Sequence, residues 1–171
     1  RTGIPISLSV VYLAIAQRLD LPMVGVNMPG HFLIRPVVNE MEVFVDPFHQ
    51  GEILFLQDCQ TLLADIFDRP VELRPEYLAT VSARQLLGRL LTNLKVIYIN
   101  QKAFQKALDI LDRLLLVFPA VPLEVRDRGV LNYRLNRYTA ARQDFETYLA
   151  IAPTAEDAQV IRDILEDLPD E

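Results

Sequence analysis

The sequence predicts an α+β domain followed by an all-α region, and three features of the chain lead to this prediction. An apolar helical stretch near the start is followed by short segments rich in β-branched residues. A second stretch with helical spacing comes after these segments. From residue 82 onward the apolar residues recur at helical spacing, and the pattern repeats after 34 residues.

Composition narrows the class of protein further. The 171 residues are 51% hydrophobic, which is enough for a sizeable core. The net charge of −6, with the basic residues scattered singly, argues against nucleic acid or an anionic membrane surface as the main partner. A single cysteine excludes an internal disulfide framework and favours a reducing compartment, so we expect a cytoplasmic protein.

Residues 5 to 19 are predicted to form the first helix. Pro5 suits the first helical position, where its fixed φ helps and its missing N–H costs nothing. The stretch is apolar almost all round, which is typical of a helix in the centre of a domain. We therefore expect this helix to be buried on every side.

Three strands are predicted next, over residues 23–27, 32–38 and 41–46, the last two joined by a turn at Asn39-Glu40. Pro36 predicts that the second strand is bulged or lies at the edge of the sheet. With a two-residue turn, Asp46 faces Leu33, and His31 lies two residues further along the same face, within reach of the Asp46 carboxylate. A three-residue turn would point the two side chains to opposite faces.

Residues 56 to 67 are predicted to form a second helix, followed by a connector over residues 68–80. Cys59, the only thiol, recurs with the apolar residues of this helix and is interpreted as a core residue.

Residues 82–171 are predicted to form tetratricopeptide-like helical repeats. The interval of 34 residues separates Pro119 from Pro153 and Ala107 from Ala141, and it is the length of one such repeat. Small alanines allow close helix contact, and each proline ends a helix. Residues 155–166 are predicted to form a final capping helix.

The motifs of the first part resemble those of the transglutaminase core in its bacterial SirB-type subfamily. They are Gly3-Ile4-Pro5, the apolar helix that ends in Arg18-Leu19-Asp20, then Gly30-His31 and Val45-Asp46-Pro47. The resemblance implies a papain-like core over residues 1–78, C-terminal repeats over residues 82–171, and a further N-terminal helical part that precedes Arg1. It also implies that His31 and Asp46 correspond to the catalytic histidine and aspartate of that family.

The position of the family's nucleophilic cysteine corresponds to Pro5, which has no nucleophilic atom. Ser7 lies about 200° around the helix from Pro5 and cannot simply replace it. Ser9 lies one turn deeper on roughly the same face as Pro5, although a serine within a helix commonly bonds to its own backbone.

The sequence therefore favours a non-catalytic protein-interaction and regulatory module. Its repeats would bind a protein or peptide partner, and His31 and Asp46 would be the remnant of a catalytic dyad.

The alternative is a hydrolase or acyl transferase that uses His31 as base and Asp46 to orient it, with a nucleophile other than cysteine. A metal hydrolase that uses His31, His49 and Asp46 is a third option, but no ligand-spacing motif supports it, so no metal or cofactor is predicted. The sequence gives no oligomeric state.

Overall fold

The computed structural model describes residues 3–37, 42–119 and 121–169. The chain divides into two compact units, Arg1–Leu86 and Leu87–Glu171. In the described residues no helix is both long enough and apolar enough to cross a membrane. The combination of a sheet with helices in the first unit, followed by the helices of the second unit, is the predicted α+β domain with an all-α region.

The first unit combines an antiparallel sheet with two helices. The elements of this unit are α1 (Pro5–Arg18), β1 (Met23–Val26), β2 (Leu33–Pro36), β3 (Phe44–Asp46), β4 (Glu52–Leu54), α2 (Leu56–Phe67), a 3-10 turn (Pro75–Leu78) and β5 (Thr80–Val81). The strands lie in the order β4-β3-β2-β1-β5 in the sheet. The turn predicted at residues 39 and 40 lies outside the described residues.

Helix α1 is not buried on every side, so that prediction is wrong. Ile6 and Ala16 are buried, whereas Val11 and Ile15 are exposed by 52% and 49%. Hydrophobic side chains all round a helix therefore do not ensure burial all round it, because only the side that meets the sheet is covered.

Strand β2 lies inside the sheet, and the edge position predicted from Pro36 is also wrong. Its residues pair with β1 from Met23↔Pro36 to Val26↔Leu33 and with β3 at Ile34↔Val45. Pro36 is tolerated because it is the last residue of β2, and β3 begins only at Phe44. The missing N–H of Pro36 therefore falls beyond the end of that ladder.

The core of the first unit lies between the sheet and α2. Its buried members come from four strands, the turn after β1 and α2: Val26, Met28, Leu33, Phe44, Leu54, Cys59 and Leu63. Cys59 is fully buried, so the sequence interpretation of this residue as part of the core is confirmed. Helix α2 has the predicted bounds.

The second unit consists of helices that pack against their neighbours along the chain. The helices are α3 (Ala83–Asn100), α4 (Phe104–Val117), α5 (Pro122–Arg134), α6 (Tyr138–Ile151) and α7 (Ala158–Glu166). Ala107 of α4 and Ala141 of α6 are fully buried, as close helix contact at these repeat positions requires. Helix α7 buries Ala158 and Ile161, and Ile161 packs in one cluster with Phe145 and Tyr148 of α6.

Candidate functional site

His31 is positioned by a tight turn immediately before β2. Pro29 and Gly30 occupy the central positions of this turn, Gly30 has a φ of +74°, and the His31 N–H donates to the Met28 carbonyl at 3.1 Å. A type II turn needs a positive φ at its third residue, which glycine adopts without strain. A Cβ on Gly30 would lie 2.5 Å from Cγ2 of Ile66, so α2 adds a second reason for glycine.

Asp46 reaches His31 through the register of β2 and β3. The pair Ile34↔Val45 is the register that a two-residue turn at Asn39-Glu40 predicts. His31 Nε2 lies 2.7 Å from Asp46 Oδ2, and both residues are buried. The predicted contact between the imidazole and the carboxylate is therefore present.

His49 completes a cluster of three side chains. Its Nδ1 lies 2.7 Å from the same Asp46 Oδ2, and its ring stacks on that of His31 at 5.9 Å between centroids. The loop after β3 places it there, because Asp46 Oδ1 accepts hydrogen bonds from the backbone N–H groups of Phe48 and His49. The side chain of His49 is 51% exposed, so the cluster opens to solvent on this side.

The Asp46 carboxylate remains ionised at neutral pH. Burial by itself raises the pKa of Asp46, but hydrogen bonds from His31 and His49, the charge interaction with His31 and the Phe48 N–H lower it to about 2. An ionised carboxylate can only accept hydrogen bonds. We therefore infer that His31 Nε2 and His49 Nδ1 both carry a hydrogen when they contact Asp46.

The hydroxyls at the start of α1 are occupied by backbone hydrogen bonds. The Ser7 hydroxyl donates to the Ile4 carbonyl at 2.9 Å and accepts from the Ile4 N–H at 3.0 Å, so it caps the helix. The Ser9 hydroxyl donates to the Pro5 carbonyl at 2.9 Å, and the Phe32 carbonyl is a more distant acceptor at 3.4 Å. Ser9 is thus next to the strand that follows His31, and it is bonded to its own helix as the sequence suggests.

The single thiol lies in the core rather than at a reactive position. Burial raises the pKa of Cys59 to about 11, and the negative charges of Asp58 and Asp46 add to the effect. A nucleophilic cysteine needs a lowered pKa, and a buried apolar environment does the opposite.

A groove of about 750 Å³ in the first unit does not contain this cluster. It runs between α1, β1 and β5, and among the described residues that line it Asp20 is the titratable one. The groove is therefore suited to apolar contact and not to acid–base chemistry.

Several charged residues of the second unit form ion pairs between helices, which the sequence did not reveal. Lys95 is buried and binds Glu124 and Asp127 at 2.7 and 2.9 Å. Arg128 binds the buried carboxylate of Asp144 at 2.7 Å. Because these partners come from different helices, no spacing along one helix could indicate them; they join the helices of the array.

Comparison with known families identifies both parts of the chain. Residues 1–92 match the family model of the transglutaminase-like superfamily. The chain belongs to the transglutaminase-like superfamily. In this transglutaminase-like chain, residues 94–166 match the tetratricopeptide repeat model, which confirms the repeats predicted from the spacing of 34 residues.

Bacterial relatives extend the match across both units. A UPF0162 protein of Xylella fastidiosa is 33% identical over 100% of this chain and 62% of the relative. A UPF0162 protein of Pseudomonas aeruginosa is 34% identical over 89% of this chain and 55% of the relative. Protein SirB1 of Salmonella typhimurium is 30% identical over 95% of this chain and 60% of the relative. The SirB-type resemblance is confirmed, and the chain spans between 55% and 62% of the length of these relatives.

Proposed function

We propose that this chain is a non-catalytic protein-interaction module of the bacterial cytoplasm, with a regulatory role. In this proposal the core over residues 1–78 is a scaffold that has lost its nucleophile. The repeats over residues 82–171 bind a peptide segment of a partner protein, and neither nucleic acid nor a membrane is the partner.

The residues at the start of α1 provide the main support for a non-catalytic function. The position that corresponds to the family's cysteine is Pro5, and the hydroxyls of Ser7 and Ser9 bond to backbone carbonyls. Cys59 has its pKa raised to about 11 by burial, which opposes thiolate formation. Nucleophilic catalysis needs an activated nucleophile within hydrogen-bonding reach of its base, and none of these groups meets that need.

The enclosure of His31 supports the scaffold role. Only 5% of this residue is exposed, and its Nε2 is engaged by Asp46. A buried, hydrogen-bonded pair of this kind fixes the strand hairpin, whereas a base must reach the proton that it removes.

The repeats offer an apolar surface for a peptide. Leu123 and Tyr133 on α5 are exposed by 55% and 43%, and the half-buried Val130 lies between them on the same side of the helix. Peptide partners commonly place a few apolar anchors on such helical surfaces. We propose this side of α5 as the contact surface.

The test is selection of binding peptides from a random displayed library on the purified chain. Affinity of the selected peptides is then measured by fluorescence anisotropy. The double substitution Leu123→Ala and Tyr133→Ala is expected to weaken binding at least about tenfold, which corresponds to about 1.4 kcal/mol. Leu116→Ala on α4 is the matched control, because Leu116 is also apolar and is 81% exposed. Equal binding by the wild type and the double variant would contradict the proposed surface.

A second candidate function is a hydrolase or acyl transferase, which the contact of 2.7 Å between His31 and Asp46 favours. In that case Asp46 orients the ring and the other ring nitrogen, Nδ1, acts as the base. The nucleophile would be a water molecule, one of the two serines or a group from outside the chain. Substrate turnover that is lost when His31 is replaced would distinguish the hydrolase or acyl transferase from the non-catalytic module.

A further inference from the structure

The three side chains around Asp46 present a mixed set of metal ligands. His31 Nε2, Asp46 Oδ2 and His49 Nδ1 all lie within 4.8 Å of one another. Two imidazole nitrogens and one carboxylate oxygen form a donor set that zinc and other divalent transition ions accept. Magnesium and calcium are disfavoured, because both ions prefer oxygen ligands.

The spacing of the ligand atoms is close to what an ion needs. Three ligands at about 2.1 Å from one ion are separated from each other by roughly 3.0 to 3.4 Å. Each of the two nitrogens lies 2.7 Å from Asp46 Oδ2, where the carboxylate now accepts a hydrogen bond. Entry of an ion requires each nitrogen to move a few tenths of an ångström away from Asp46 Oδ2 and to give up the hydrogen that it donates to this oxygen. The two nitrogens, which lie within 4.8 Å of each other, must reach the same spacing. The half-exposed ring of His49 has room for that movement.

The backbone around the site holds the carboxylate in the required orientation. The N–H groups of Phe48 and His49 bind Asp46 Oδ1, which leaves Oδ2 directed at the two rings. The Gly51 N–H donates to the Asp46 carbonyl at 2.8 Å, and Gln50 and Gly51 have φ values of 59° and 82°. Such outer hydrogen bonds orient the ligands of a metal site and tune its affinity.

The burial of the three ligands is asymmetric. His31 and Asp46 are buried, whereas the His49 side chain is 51% exposed. An ion can therefore enter past His49 and keep water on its open side. Catalytic zinc sites commonly have three protein ligands and a fourth position that is open to water.

We propose that His31, Asp46 and His49 bind one divalent transition-metal ion, with zinc as the best fit to the donor set. The site lies in the first unit, Arg1–Leu86, which we call the core unit, and it is independent of the peptide surface proposed for the repeats. In this proposal His31 and Asp46, the remnant of the catalytic dyad, act as ligands of a metal ion.

Titration of ZnCl₂ into the untagged chain by isothermal calorimetry tests the proposal. We expect one ion per chain and no binding of MgCl₂ at the same concentrations. His49→Ala removes a half-exposed ligand outside the core and is expected to weaken zinc binding at least about tenfold. Gln50→Asn changes the neighbouring residue and keeps a side chain that tolerates a positive φ, so it is the matched control and should bind as the wild type does.

Histidine ring spectra provide a second measurement on the same sample. The chain contains two histidines, so all imidazole ¹H–¹⁵N signals come from the site. Zinc is expected to shift the Nε2 signal of His31 and the Nδ1 signal of His49 together, with saturation at one equivalent. Three results would overturn the proposal: no zinc binding by the wild type, equal binding by His49→Ala, or shifts confined to the exposed ring of His49.

Discussion

Ile34 of β2 pairs with Val45 of β3, and this single register brings His31 next to Asp46. In an antiparallel pair, a slip of one residue moves every side chain of a strand to the other face. His31 and Asp46 would then lie on opposite sides of the sheet. The cluster therefore depends on the same register that buries Leu33 and Phe44 in the core.

Loss of the Asp46 carboxylate should destabilise the core unit. Asp46 is 1% exposed and accepts hydrogen bonds from two backbone N–H groups and two imidazoles. Asp46→Ala leaves these donors without their acceptor, and we expect a loss of about 3 kcal/mol in the free energy of unfolding in urea. Asp65→Ala, at an exposed position of α2, should stay within about 0.5 kcal/mol of the wild type. A loss below about 1 kcal/mol for Asp46→Ala would contradict a structural role for the carboxylate.

Cys59 should react slowly with alkylating reagents in the folded chain. Its pKa is raised from 9.0 to about 11 by burial and by the charges of Asp58 and Asp46. This change lowers the thiolate fraction at pH 8 about 100-fold, and burial slows access further. We expect iodoacetamide to modify the native chain at least about 100-fold more slowly than the chain unfolded in guanidinium chloride. Similar rates, followed by mass spectrometry, would show that the thiol is accessible.

Gly129 should not tolerate a methyl group. A Cβ at this position would lie 2.7 Å from Cε1 of the Phe145 ring, which is fully buried. Gly129→Ala is expected to lower the free energy of unfolding by about 1 to 3 kcal/mol, despite the better helix propensity of alanine. Thr139→Ala on the exposed side of α6 serves as the control. An increase in stability for Gly129→Ala would mean that α5 and α6 are further apart than described.

The ion pairs of Lys95 should make the repeats sensitive to alkaline pH. Although burial lowers the pKa of Lys95, its hydrogen bonds and charge interactions with Glu124 and Asp127 raise it above 10.5 overall. The folded chain therefore holds this proton to a higher pH than the unfolded chain does. Its stabilising contribution is complete below pH 10.5 and is lost as the pH rises through the folded-state value.

Lys95→Met removes this contribution and serves as the comparison. We expect the difference in unfolding free energy between the wild type and Lys95→Met to shrink as the pH rises above 10.5. The exposed Lys102→Met should show no such trend. A difference that stays constant with pH would indicate that the charge of Lys95 does not stabilise the fold.

Much of the fold follows from local patterns in the sequence. The spacing of apolar residues predicts α2 at its observed bounds, and the interval between the two prolines predicts the repeats. The approach of His31 to Asp46 follows from the two-residue turn that the sequence predicts at Asn39-Glu40, because the side-chain period of a strand is two.

The failures come from features that depend on the rest of the fold. Pro36 is compatible with an inner strand because β3 begins at Phe44, and no property of Pro36 indicates where its neighbour starts. The exposure of Val11 depends on which sides of α1 other elements cover. From the sequence, a set of His31, His49 and Asp46 is only a third option, because the approach of His49 to Asp46 depends on loop hydrogen bonds that residue spacing does not indicate.

The most direct test of the proposed function is turnover by the purified chain and by His31→Ala. Amide, ester and thioester substrates would be supplied with and without added zinc, and circular dichroism would verify that the variant is folded. Asp65→Ala is the control for substitution elsewhere in the core unit. A non-catalytic module predicts that all three proteins release product at the background rate. Product release that is above background in the wild type and Asp65→Ala, and lost in His31→Ala, would contradict it and establish His31 as the base of an enzyme.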